Sequence, residues 1–305
     1  MNIAICDIRK GKRDPRNSIT VAYRNLMVLK KSLNADLFVQ VKDINWSKQY
    51  DAIICGFGST SCECDKQLKF LKENKNAKLL WLVGDYEQST FAPLFYTCRD
   101  QGRKVEIIKA FKPSLKCSYA SKQHVIDINT LLVQKPNKVT EKIMACAYWG
   151  RWRNDRLVYF QKYLKNPVMC STSSKNIKKF HQNNCSPKYI KPLTWTRGAE
   201  TLNRIAFSLY IEDVYSNQNY TSVANRFYEA LACNVAQLFD KSCVNTLKEC
   251  GYSLDSDMVI DGHTELVSKL IPEKYQEIMS RQTAWNELAY AKKDVTLNQI
   301  RALVS

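Results

Sequence analysis

The chain has 305 residues, 45% of them hydrophobic, with 46 Lys+Arg against 29 Asp+Glu and a formal net charge of +17. That length buries a core large enough for two domains, and no apolar run approaches the ~20 residues of a membrane span, which argues against a membrane protein. The basic excess is uneven: net +11 over residues 1–140, +9 over 151–200 and −3 over 201–305, a distribution that points to a polyanionic partner, nucleic acid first.

Twelve cysteines are scattered, and only Cys62 and Cys64 stand close together. There is no C-x2-C pair, and His124, His181 and His263 lie far apart, so no metal-ligand spacing is present. The cysteines read as small apolar residues of a protein in a reducing cytoplasm.

In chain order, residues 2–8 (NIAICDI) read as a buried first strand rather than a signal peptide. A basic loop from Arg9 to Ser18 follows, then an amphipathic helix over about Ile19 to Leu33. Strands are expected at Leu37–Val41, Asp51–Gly56, Lys78–Val83, Val105–Lys109 and Val125–Asn129, with a helix over Asp65–Lys75. The polar stretch 132–140 is a plausible linker. A second alternation follows: strand Lys142–Ala147, helix Asn154–Tyr163, strand Val168–Cys170, a basic coil, and a helix near Ala199–Ala206. It continues with strand Phe207–Ile211, a helix opening at Thr221 or Ser222, and strand Ala236–Phe239. Thr264–Leu270 and one or two helices over Lys274–Leu303 complete the chain. Strands alternating with helices imply parallel sheets with crossover helices. The expected fold is α/β, two Rossmann-like domains facing a central cleft: residues 1–135, residues 141–280, and a C-terminal helix over 281–305 packing back toward the first domain.

Parallel sheets bind ligands outside the carboxyl ends of their strands, and four segments fall there. Arg226 and Glu229 sit in the first turns of the helix after strand Phe207–Ile211. A helix N-terminus favours phosphate, Arg226 adds a fork of donors, and Glu229 can accept from sugar hydroxyls; Thr221 and Ser222 stand at the expected helix start. Gly150, Arg151 and Arg153 follow strand Lys142–Ala147 and suit a pyrophosphate, with Tyr210 and Ile211 at the neighbouring strand end. Asp85 and Glu87, after strand Lys78–Val83, supply carboxylates for taking an acceptor proton. Arg9, Lys10, Lys12, Arg13 and Arg16, after the first strand, are candidates for phosphodiester contacts. Solvated salt pairs, caps and exposed basic turns are the structural alternatives for each of these segments.

The run Thr221-x4-Arg226-Phe227-Tyr228-Glu229-Ala230-Leu231-Ala232-Cys233-Asn234-x2-Gln237 resembles the donor-site segment of nucleotide-sugar glycosyltransferases of GT-B architecture. Asn234 stands where glycine is usual there, and Val235 and Ala236 where a proline is common; Asn tolerates a left-handed backbone, so the helix can still stop. Gly150-Arg151 is similar to a Gly-Arg stretch of bacteriophage DNA glucosyltransferases. The resemblance implies a hexosyltransferase that uses a UDP-sugar, UDP-glucose first. Its implied acceptor is double-stranded DNA carrying hydroxymethylcytosine or hydroxymethyluracil, with a loosely bound divalent cation but no dedicated metal motif. A monomer in the cytoplasm, the host's if phage-encoded, is expected. Two other readings stay open: a glycosyltransferase acting on a surface glycan or protein, and a non-enzymatic nucleic-acid-binding protein.

Overall fold

The computed structural model of the chain describes residues 1–8, 21–56, 64–83, 102–110, 122–138, 141–193 and 200–305. Two units divide it: residues 1–132 with 292–305, and residues 133–291.

In the first unit the strands are β1 (Ile3–Cys6), β2 (Asp36–Phe38), β3 (Ala52–Cys55), β4 (Lys78–Val83), β5 (Val105–Lys109) and β6 (Lys122–Val125). They form one sheet in the order β2-β1-β3-β4-β5-β6, every pair parallel. Near-continuous aliphatic runs such as KLLWLV suit this, because a parallel sheet is covered on both faces. Helix α1 (Val21–Leu33) lays Leu26 and Leu29 into a core with Ile3, Ile5, Ile54, Leu80 and Leu82, and α2 (Cys64–Glu73) precedes β4. The same core receives Leu297, Ile300 and Val304 from the last helix of the chain.

Two predicted strands differ. Leu37–Val41 is cut short at Phe38, because the Asp43 carboxylate accepts the amides of Val39 and Gln40 and turns the chain into a single 3-10 turn over Val41–Asp43. The strand predicted at Val125–Asn129 lies earlier, at Lys122–Val125. There the carboxylate of Asp127 accepts the Asn129 amide, and a 3-10 turn over Ile128–Leu132 begins.

In the second unit the strands are β7 (Ile143–Trp149), β8 (Met169–Ser171), β9 (Lys188–Ile190), β10 (Ile205–Tyr210), β11 (Ala236–Asp240) and β12 (Val259–Ile260). The sheet runs β12-β11-β10-β7-β8-β9, again parallel. The chain builds outward from β7 to β9, then returns to the other side of β7 as β10. Strand order therefore reverses between β7 and β10, the place where doubly wound sheets open a ligand crevice beyond the strand ends.

Between these strands run α3 (Leu157–Tyr163), α4 (Ser174–Gln182), α5 (Glu200–Asn203), α6 (Val214–Asn219), α7 (Asn225–Ala232), α8 (Val244–Glu249) and α9 (His263–Ser268), and α10 (Pro272–Val304) ends the chain. The stretch expected as basic coil holds both α4 and β9. Ser173 caps α4 by accepting the Asn176 amide, and Ile177 and Phe180, three residues apart, bury one face of it. The helix expected from Thr221 or Ser222 opens instead at Asn225, and the loop before it holds a separate short helix, α6, capped by Asp213.

At the far end of α7, Asn234 takes φ +50°, the left-handed angle for which glycine is usual. Its side-chain amide donates to the Asn137 carbonyl at 2.7 Å, a contact that glycine could not make. Cys146, Cys170 and Cys243 are buried and form no disulfide, and burial pushes the thiols of Cys170 and Cys243 up to about 12.

Candidate nucleotide site at the carboxyl ends of β7 and β10

Four buried charged side chains converge where β7 and β10 end. The Glu212 carboxylate, one residue past Ile211, bridges two guanidinium groups: one oxygen pairs with Arg226 and the other with Arg156. All three side chains are less than a tenth exposed. Arg226, the second residue of α7, also donates from Nη2 to the Ile211 carbonyl at 3.0 Å. Its guanidinium lies 5.3 Å from the ring centre of Tyr148 and 5.8 Å from that of Tyr210, a desolvated cation over two aromatic faces. Arg226 Nε is buried and has no hydrogen-bond partner. An orphaned, permanently charged donor in a buried site is costly unless an acceptor reaches it.

Asp213 holds the neighbouring corner. Its carboxylate accepts the Ser216 amide at 2.8 Å and hydroxyl at 2.9 Å, and pairs with Arg156 at 3.3 Å and Arg153 at 3.6 Å. Burial would lower the Arg156 pKa, but Glu212, Tyr148 and Asp213 outweigh it and hold it above its ordinary value.

Glu229 completes the site from α7, buried at 3% exposure. Its Oε2 accepts from the Trp149 indole Nε1 at 2.7 Å and from Asn225 Nδ2 at 3.0 Å. The start of α7 has no side-chain cap; instead the Ala224 amide donates to the Tyr210 hydroxyl at 2.8 Å. Helix amides, two arginines and an aromatic wall therefore meet at one strand-order reversal, a chemistry suited to an anionic ligand with hydroxyl groups.

Of the residues expected here, Arg226, Glu229 and Tyr210 come together. Ile211 contributes its carbonyl, which Arg226 occupies. Thr221 and Ser222 precede α7 rather than opening it. Gly150 is required sterically: a Cβ there would stand 2.9 Å from the Tyr148 hydroxyl. Arg151 is exposed, whereas Arg153 is bound to Asp155 at 2.5 Å. Asp85, Glu87, Arg9, Lys10, Lys12, Arg13 and Arg16 lie outside the described residues. Trp149 and Arg156 were not among the residues singled out from sequence; the recurrence Arg151-x-Arg153-x-x-Arg156 is the signal that could have pointed to the third arginine. Among the described residues no group of three His, Cys, Asp or Glu side chains could hold a metal ion, and no helix is long and apolar enough to cross a membrane.

The acid limb of stability follows from the same carboxylates. Burial pushes Asp213 and Asp240 up, but hydrogen bonds to Asp213 from Ser216 and the charges of Arg156 and Arg153, and to Asp240 from Ser242, Tyr163 and Lys162, leave both below the usual value. A depressed folded pKa contributes stability that is fully present above the unfolded value of about 4 and is lost as pH falls through the folded one. The melting temperature of the second unit is therefore expected to hold from pH 7 to 5 and to drop below pH 4. Asp213→Asn with Asp240→Asn should flatten that drop; thermal melts across pH 2–7 read it, and a flat wild-type profile down to pH 2.5 contradicts it.

No protein-family model matches the chain, and no curated protein matches it. Solved structures do. T4 phage β-glucosyltransferase in complex with UDP-glucose aligns at 16% identity over 100% of both chains with a TM-score of 0.73; the same enzyme in complex with UDP and Mn2+ aligns at 14% and 0.70, again over 100% of both chains. An α-glucosyltransferase in complex with UDP and a 13-mer DNA containing an HMU base aligns at 14% identity over 98% of this chain and 95% of that one, with a TM-score of 0.57. The chain has the α/β fold of two parallel six-stranded sheets, the GT-B architecture, and along its whole length it resembles the T4 phage β-glucosyltransferase fold.

Proposed function

We propose that the chain is a glycosyltransferase that moves a sugar from a UDP-sugar to the hydroxyl of a hydroxymethylated pyrimidine in duplex DNA. The observation that carries this reading is Arg226: a buried guanidinium with an unfilled Nε donor, at the start of α7 and at the strand-order reversal of the second sheet. A diphosphate oxygen is the natural acceptor for that donor, and the first amides of α7 add to its field. Glu229, fixed by Trp149 and Asn225, is assigned to sugar hydroxyls. Gly150, Arg151 and Arg153, Tyr210, Ile211, Thr221 and Ser222 are assigned to the surroundings of the donor.

The acceptor side rests on charge and likeness. A formal charge of +17 favours a polyanion, and the UDP-glucose and DNA complexes of the similar structures favour this donor and acceptor. Arg9, Lys10, Lys12, Arg13 and Arg16 are assigned to the DNA backbone. A paired base hides its substituent in the stack, so the target would be extruded before transfer. Transfer itself needs the acceptor proton removed and positive charge at the sugar carbon supported; Asp85 is assigned the base role, with Glu87 second. A divalent cation, if used, would be held chiefly by the diphosphate oxygens.

The test is mass-spectrometric detection of transfer from a series of UDP-sugars to hydroxymethylated and plain duplexes, with Asp85→Asn alongside. Product is expected only on hydroxymethylated DNA. Asp85→Asn should lose about 10²- to 10⁴-fold in turnover with UDP affinity unchanged. Product on neither duplex with any UDP-sugar refutes the reading, and product on a glycan or protein acceptor instead replaces it.

A further inference from the structure

At the opposite end of the first sheet from the strand carboxyl termini lies a depression of about 600 Å³ lined by Lys72, Lys75, Lys78, Arg103 and Lys104. Lys72 lies in the last turn of α2, Lys78 opens β4, and Lys104 immediately precedes β5. Since β4 has six residues, this surface stands roughly 20 Å from the carboxyl ends of its own sheet at about 3.3 Å per residue.

Arg103 is not the reactive member of the group. Its guanidinium donates to the carbonyls of Leu71 at 2.7 Å, Asn74 at 3.0 Å and Ala77 at 2.8 Å, so it staples the end of α2 and satisfies the carbonyls that would otherwise carry the helix's partial negative charge. The lysines are thus in excess of what the helix end needs. The acids flanking these lysines are engaged elsewhere: Glu73 with Lys69, Glu106 with His124, and the carboxylate of Asp51, whose backbone carbonyl accepts the Lys78 amide, with the Asn2 amide. Among the described residues no carboxylate pairs with Lys72, Lys75, Lys78 or Lys104, and Lys72, Lys75 and Lys104 are exposed. Four ammonium groups without a carboxylate partner among the described residues repel each other around one concavity, a cost that an anion of regularly spaced charges removes.

We infer that this lysine pocket is a second contact surface for the phosphodiester backbone of duplex DNA, remote from the carboxyl ends of the strands and blind to sequence. It rests on the proposed DNA acceptor and extends it. A lysine is a point charge that holds phosphate without a fixed geometry, so the surface would keep the protein on the polymer without selecting bases.

The experiment is a salt series of affinity for an unmodified 30-base-pair duplex, for the full chain and for Lys72→Gln/Lys75→Gln/Lys78→Gln/Lys104→Gln, with the corresponding Lys→Arg variant and UDP affinity as controls. The Gln variant is expected to bind duplex at least tenfold more weakly at low salt. The magnitude of its log–log salt slope should fall by about 1.8 to 3.6, at about 0.9 for each of two to four phosphates that the protein no longer neutralises. UDP affinity should stay unchanged, and the Arg variant should restore the parent slope. A parent that binds duplex while the Gln variant keeps its slope and affinity overturns this inference alone. So does an Arg variant as weak as the Gln variant, or a loss of UDP affinity in step with DNA affinity. A parent with no salt-dependent duplex affinity overturns both this surface and the DNA acceptor.

Discussion

Arg226→Ala is expected to weaken UDP binding roughly 30- to 1000-fold and, at the same time, to lower the stability of the second unit. Both effects come from the one guanidinium. It pairs with Glu212, donates to the Ile211 carbonyl and lies over Tyr148 and Tyr210, and truncation leaves a buried carboxylate with one arginine where it had two. Breaking a buried ion pair by removing one partner costs about 3–5 kcal/mol, and the lower end applies because Arg156 stays on the other oxygen. Loss of a desolvated, charge-assisted contact to the diphosphate accounts for a further 2–4 kcal/mol of binding, roughly 30- to 1000-fold in affinity.

A second variant separates the two roles. In Arg226→Met/Glu212→Gln one buried cation and one buried anion go together and Arg156 keeps Asp213 as its partner, a change that is often neutral for stability when volume is kept, so the melting temperature should recover most of the way while UDP affinity stays lost. Arg226→Lys keeps the charge but not the fork and is expected to bind UDP weakly. Calorimetric titration with UDP and thermal melts read both quantities. Recovery of UDP affinity in the double variant makes Arg226 purely structural and removes it from the donor site.

The strands were legible because their signal is local. KLLWLV and VEIIK are mostly aliphatic runs, each buried at all but one residue, and the observed β4 and β5 match the expected bounds. What escaped was set by contacts the sequence does not display. Asp43 and Asp127 each end an apolar stretch by taking backbone amides, a side-chain choice that competes with the sheet ladder. Asp213 caps α6 while pairing with Arg156 and Arg153, partners distant in sequence, so its loop could not be foreseen as helical. The pair Arg226 and Glu229 was singled out through spacing and resemblance. Its environment was not, because Trp149, Arg156 and Glu212 reach it only once β7 and β10 lie side by side, 56 residues separating Arg156 from Glu212.

Glu229→Ala is expected to erase the preference for a ribose over a deoxyribose nucleotide, which tests the site more sharply than loss of affinity alone. The carboxylate accepts from Trp149 and Asn225 on a single oxygen, which locks its plane, and a carboxylate offers about four acceptor sites, enough to keep both donors and still take ribose hydroxyls. Removing it strands the buried Trp149 N–H, a cost of about 1–3 kcal/mol in stability, so a fall in UDP affinity by itself could reflect a loosened site. Comparing UDP with 2′-deoxy-UDP cancels that loosening, because both ligands meet the same altered protein and only the hydroxyl differs. The parent should favour UDP at least tenfold, since a site built to bond a hydroxyl rejects the analogue lacking it. In Glu229→Ala the two nucleotides should bind alike, and in Glu229→Gln, whose amide still reaches the hydroxyl, part of the preference should survive. A preference undiminished in Glu229→Ala means that some other group reads the ribose and that Glu229 serves only to hold Trp149 and Asn225 in place.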